Sequence, residues 1–234
     1  MKKYLISFGS NGYNNTLIDL KNSALPFFDE IISYNDKDIT ELKSLYPKHF
    51  ENGRGFGYWL WKPYLILKTL NNINDGDIIM YTDSTMRFVT NPSPLFNILT
   101  TKDILLFSTE YRNSQFIKYD TFYGMDSLDE KYIKGKHVNA AIILIKKTIN
   151  TISFITEYLN YCQNFKIISD ETNSDGNNYD DFIDHRHDQS ILSILSIKNG
   201  VELHKDPTQW GINHNHLFTN SNYGVILNHH RNKY

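Results

Sequence analysis

Cysteine is almost absent from this chain: Cys162 is the one thiol in 234 residues, so no intramolecular disulfide can form, which fits a reducing compartment or simple indifference to redox. An excess of one charge is absent too. Lysine and arginine number 24 against 26 aspartates and glutamates, and no basic stripe stands out, so the footprint of a nucleic-acid binder is missing. No apolar run approaches the ~20 residues of a membrane-spanning helix. The start, Met1 to Gly9, is basic and then apolar like a signal peptide, but Ser7 and Gly9 interrupt it early and a first strand is expected instead. What is present is apolar material, 40% of the residues, enough for one α/β domain over residues 1–234.

The periodicity alternates between two kinds of segment. Tyr4 to Ser10 has strand character and ends in Gly9-Ser10-Asn11-Gly12, a loop where a ligand can approach the backbone at Gly9. The spacing of Leu17, Leu20, Ala24 and Phe27 or Phe28 predicts a helix over 16–28. A strand over 30–34 follows, then a helix over 36–50 with Asp36 or Asp38 as its N-cap. Further strands are expected at 78–81, 103–107 and 137–146, and helices from near Pro63 through Leu70, over 149–165 and after Asp188. Strand and helix taking turns imply βαβ units and a mostly parallel central sheet flanked by helices.

Two stretches concentrate unusual chemistry. Gly53 to Pro63 holds three glycines, four aromatics and two cations, Arg54 and Lys62, directly ahead of a helix, which suits a planar anionic ligand near a helix N-terminus. Trp59 and Trp61 in it also fit a core. Asn74 to Phe88 runs from turn residues through an apolar strand, Ile78 to Tyr81, to Asp83. In open α/β sheets the carboxyl edge is where ligands bind, which makes Asp83 a site candidate, although a turn cap also accounts for it. Asp188 and Gln189 begin the apolar periodicity after His185-Arg186-His187, and capping alone would account for Asp188. The stretch 169–184, rich in Asp, Asn, Ser and Gly, is expected to be a solvated loop or mobile lid with surface acids. His214 and His216, two apart with no carboxylate, are a weak metal signal.

Gly-Phe-Gly-Tyr-Trp-Leu-Trp-Lys-Pro, a helix, and then Gly-Asp-Ile-Ile-Met-Tyr-Thr-Asp-Ser-Thr resemble the nucleotide-sugar-binding core of GT-A glycosyltransferases, in particular small polysaccharide-type transferases of bacteria and large DNA viruses. The resemblance implies a Rossmann-like GT-A domain that moves a sugar, expected to be a hexose, from a nucleotide-diphosphate donor to a hydroxyl acceptor with Mn²⁺ or Mg²⁺. It implies donor contacts at Gly9, Arg54, Lys62, Asp83 and Ser84. His137 to Lys146 is similar to the strand lining the acceptor side, placing Asn139 on a sugar hydroxyl, and His-Asp-Gln assigns Asp188 and Gln189 to the reacting sugar. Thr85 stands where a second aspartate is usual. In that family a late histidine completes the metal site, here His230 or His229 beside Asp83 and Thr85, with Arg231 and Lys233 on phosphate. This C-terminal tail is expected to be disordered until ligand binds. A cytoplasmic, soluble enzyme is expected, in the host cytoplasm if the source is viral. The other readings are a sugar nucleotidyltransferase, for which Gly9 to Gly12 lacks a following cation, and a degenerate transferase that only binds carbohydrate or nucleotide, for which Thr85 argues.

Overall fold

The computed structural model describes residues 1–10, 12–51 and 54–230. Its six-stranded sheet has the order β2-β1-β3-β6-β5-β7, built from β1 (Lys3–Phe8), β2 (Glu30–Tyr34), β3 (Ile78–Thr82), β5 (Ile104–Arg112), β6 (Lys136–Lys146) and β7 (Leu203–Lys205). The junctions β1/β2, β1/β3 and β5/β7 are parallel, while β6 runs antiparallel to both β3 and β5, so the sheet is mostly parallel as expected. A small second sheet pairs β4 (Met86–Phe88) with β8 (Leu227–His229).

The continuous apolar runs follow from burial on both faces. Ile79 and Tyr81 of β3 and Ile143 and Ile145 of β6 share one core layer with the helices Trp61–Leu70, Ile149–Cys162 and Asp188–Lys198. Ile78, Met80, Ile142 and Leu144, their alternates, face the other layer with the helices Asn14–Ala24 and Ser93–Ile98. Each such fully buried aliphatic side chain contributes about 1.5–3 kcal/mol relative to exposure.

Several element boundaries differ from expectation. The first helix ends at Ala24, because Pro26 has no N–H to continue it, and Phe27 and Phe28 instead pack against Phe88 at ring distances of 6.0 and 5.4 Å. The expected 36–50 helix is three pieces, a 3₁₀ turn Asp36–Ile39 and helices Thr40–Leu45 and Pro47–Glu51. Pro47 disfavours helical backbone at Tyr46, which sits at φ −128°, ψ 54°. Asn35, and neither Asp36 nor Asp38, is the N-cap; its side chain accepts from Lys37 N, while Asp38 accepts from Asn35 N. The strand expected over 103–107 extends to Arg112 through an irregular register with β6. The helix expected over 149–165 stops at Cys162.

The stretch 169–184 is a loop whose acids Asp170, Glu171, Asp175, Asp180 and Asp181 are exposed as expected, but it is tied to the body of the domain rather than free. Asp120 accepts from the amides of Ser174 and Asp175 at 3.0 Å each, Asn178 accepts from Tyr119 N at 2.8 Å, and Asp181 accepts from Ser114 Oγ at 2.8 Å. At the far end of the sheet, among the described residues, β7 pairs with β5 on one side only. Its other side is met by residues 220–223: Asn220 Nδ2 donates to Leu203 O, Ser221 Oγ accepts from Lys205 N, and the Tyr223 hydroxyl donates to Lys205 O.

Candidate active site

The carboxyl ends of β1 and β3 open onto a cavity of about 1050 Å³. Gly9 and Ser10 just after β1, Asp83, Ser84 and Thr85 from the β3–β4 turn, Arg54 and Lys62, Asn139, Asp188 and Gln189, and His229 all line it. The structure thus brings together residues that lie up to 220 positions apart in the chain. His230 is not among the lining residues, and Arg231 and Lys233 lie outside the described residues.

Lys62 forms the floor. Only 2% exposed, it sits in the first turn of Trp61–Leu70, where its ammonium donates to Ala140 O at 3.0 Å and lies 2.7 Å from Asp188 Oδ2 and 3.9 Å from Asp83 Oδ1. Burial alone would lower its pKa; the carboxylates of Asp188 and Asp83 outweigh burial and raise it. Two tyrosines complete the network, Tyr158 donating to Asp188 Oδ2 at 2.9 Å and Tyr81 to Asp83 Oδ1 at 2.6 Å. Burial, then the neighbouring carboxylate, pushes both phenols well above their usual range, so both remain donors. Asp188 is 3% exposed, and burial raises its pKa despite Lys62. Its carboxylate therefore faces Lys62 and Tyr158 rather than capping the helix. Tyr81 was open to discovery from sequence, being two positions before Asp83 on the same strand face. Tyr158, on another helix, carried no such signal.

The wall on the other side is built from left-handed backbone. Gly55, Phe56, Gly57, Tyr58 and Trp59 have consecutive φ values of 60°, 55°, 94°, 53° and 60°. A Cβ on Gly55 would fall 2.2 Å from the Trp59 ring, and one on Gly57 2.6 Å from Phe50, so neither site has room for a side chain. The three non-glycine residues cost roughly 1–2 kcal/mol each. Trp61 Nε1 donates to Gly55 O at 3.0 Å and helps hold the turn, while Trp61 itself stacks on Phe8 at 4.2 Å and belongs to the core. Trp59 lines the cavity and stacks on His187 at 5.5 Å.

Arg54, at the start of this turn, reaches across to the segment before Asp188. His187, itself at φ 52°, donates from Nδ1 to Ile168 O at 2.7 Å, which leaves Nε2 to accept from Arg54 Nη2 at 2.6 Å. Arg54 also lies 3.4 Å from both Asp170 and Asp184. Burial lowers the His187 pKa, favouring this neutral acceptor form. The side chain of Arg54 is 48% exposed and lines the cavity.

The tail is docked through residue 230. Pairing of β8 with β4 sets His229 opposite Met86, the Gln209 amide bridges His229 N and O at 3.0 and 2.8 Å, and His230 N donates to Thr85 O at 3.1 Å. The expected disorder before ligand binding is thereby corrected for these residues. Among the described residues no group of three His, Cys, Asp or Glu is gathered for a metal. Asp83, Thr85 and His229 nevertheless supply a carboxylate, a hydroxyl and an imidazole to one cavity. That donor set fits a hard divalent ion that completes its shell with substrate oxygens. Gly9 also has a packing reason: a Cβ there would meet Leu17 at 2.5 Å.

The sequence matches no protein-family model and no curated protein. Solved structures do match in shape. Mouse xyloside xylosyltransferase 1 superposes with a TM-score of 0.50 at 12% identity, over 98% of each chain. The galactosyltransferase LgtC, crystallised with donor and acceptor sugar analogues, gives 0.54 at 15% identity, over 98% of this chain and 87% of its own. At such identities the likeness establishes the fold, the GT-A glycosyltransferase architecture.

Proposed function

We propose that this chain is a glycosyltransferase moving a sugar, a hexose in our reading, from a nucleotide-diphosphate donor to a hydroxyl acceptor with a divalent metal. The observation that carries the reading is the convergence of Asp83, Lys62, Asp188 and His229 on one cavity at the carboxyl edge of a GT-A sheet. Asp83 and His229, with Thr85 beside them, would hold Mn²⁺ or Mg²⁺, which supplies charge neutralisation to a departing diphosphate. Arg54 offers an exposed guanidinium to phosphate oxygens. Asn139 donates through Nδ2 to Asp206 at 2.8 Å and accepts from Ala141 N at 2.9 Å, so it presents a fixed amide to the sugar. Lys62, 2.7 Å from Asp188 Oδ2, orients that carboxyl group beside Gln189, where developing positive charge at the sugar is best stabilised. The burial of Asp188 favours one second reading, a module that binds sugar nucleotide without turnover.

Incubation with a panel of nucleotide sugars and Mn²⁺, read as released nucleotide, decides between transfer and binding alone. Asp83→Asn should keep the circular dichroism of the parent and lower its affinity for nucleoside diphosphate plus Mn²⁺ by at least about tenfold, since one charge-assisted contact is lost. Titration calorimetry showing unchanged affinity would sink the assignment. For the two tail histidines, Mn²⁺ titration should find His229→Ala weakened and His230→Ala at the parent value, because only His229 lines the cavity.

A further inference from the structure

On β6, His137, Asn139 and Ala141 alternate onto one strand face, and all three line the cavity. His137 is 1% exposed, and its ring is oriented from behind by two fully buried side chains. Nδ1 lies 3.1 Å from Asn113 Oδ1 and 3.2 Å from Ser193 Oγ. Asn113 Nδ2 donates to Tyr132 O at 2.9 Å, so Oδ1 is the atom turned to the ring and Nδ1 carries the proton. Nε2 is then a bare acceptor, buried and without a hydrogen-bond partner among the described residues. Burial, then the positive charge of Arg186, lowers the ring's pKa to about 3, so the lone pair stays available across the physiological range. A buried acceptor left unmatched is costly, and in a ligand cavity the natural match is a ligand donor. Around the same cavity stand Tyr111 and Trp210, 52% and 55% exposed. Their electron-rich faces suit the polarised C–H groups of a pyranose ring better than an anion.

We infer that His137 Nε2 accepts a hydrogen bond from a hydroxyl of the acceptor substrate, and that this acceptor is an uncharged saccharide. The inference rests on the transferase reading and names its acceptor. His137 acts as a positioning and specificity residue: a neutral ring with one fixed lone pair selects a hydroxyl and rejects an analogue lacking it.

Two readouts on the folded chain test it. In ¹⁵N-histidine-labelled protein, with diamagnetic Mg²⁺ and UDP or GDP present, methyl glycosides of galactose, glucose, mannose and xylose are titrated. The Nε2 resonance missing from His137→Phe and His137→Gln should move in a saturable way with at least one of them, and not with the matching deoxy glycoside. In turnover, His137→Phe should raise the acceptor KM about tenfold while leaving the rate of donor hydrolysis without acceptor unchanged. A resonance unmoved by all four glycosides overturns the inference, as does an unchanged acceptor KM in a folded variant. Donor hydrolysis reports separately on the proposed function: a moving Nε2 resonance in a protein that cleaves no nucleotide sugar would reject transfer and retain the saccharide site.

Discussion

Lys62→Met is expected to cost about 3–5 kcal/mol of stability, because it leaves the carboxylate of Asp188 buried with its cation removed. That is a large share of the 5–15 kcal/mol by which domains are stable, and urea titration should show the midpoint falling steeply. The informative companion is the triple variant Lys62→Met, Asp188→Leu, Tyr158→Phe. It removes every charged or donor group of this part of the network together, and replacing a buried pair by apolar side chains is often neutral or stabilising. Most of the stability should return and no transfer activity with it. A triple variant as unstable as the single one would show that the ion pair serves the fold itself; recovered activity would remove Lys62 and Asp188 from the chemistry.

Acid should unfold this protein through its buried histidines. An unfolded histidine titrates near 6.5, whereas His137 in the folded chain does so at about 3. Below pH 6.5 the unfolded chain therefore binds a proton that the native chain refuses. This contribution to stability is complete above pH 6.5 and is lost as the pH falls to about 3, at about 1.4 kcal/mol per unit, or roughly 5 kcal/mol across the interval. His185, its pKa also lowered by burial, acts in the same direction. Unfolding free energies measured from pH 7 to pH 4 should slope accordingly, and His137→Phe should flatten that slope by one proton's worth. An identical slope in the variant would mean that the His137 ring is protonated in the native state.

What could be seen in the sequence was local. The Ile78 to Tyr81 strand with Asp83 at its end, the helix around Pro63 and the helix opening at Asp188 depend on periodicity and on residues next to one another, and each lies close to its expected place. Long-range pairing was not accessible. Lys62 looked like a phosphate contact from its neighbours, yet its partner is Asp188, 126 positions later, and nothing in either local pattern announces that distance. The left-handed turn 55–59 was hidden for another reason: two glycines permit it, but Phe56, Tyr58 and Trp59 disfavour it locally, and only the packing of Trp59 and Phe50 around the glycines enforces it. The docked tail was missed because Leu227–His229 is too short to show alternation, and its strand identity comes entirely from β4. His187, beside the Asp-Gln pair, was within reach; His137 was not, since its unmatched nitrogen follows from an asparagine 24 positions earlier.

The side chains of residues 220–223 along β7 bear on how copies of this chain meet. A sheet ends wherever its last strand offers unpaired amides and carbonyls, and such an edge is a template for a strand from another molecule. Here Leu203 O, Lys205 N and Lys205 O are taken by Asn220, Ser221 and Tyr223 of the same chain. An incoming strand would have to displace three intramolecular partners to gain its own. The β7 margin is thereby closed to edge-to-edge growth, and Ser221 and Tyr223 act there as guards against aggregation.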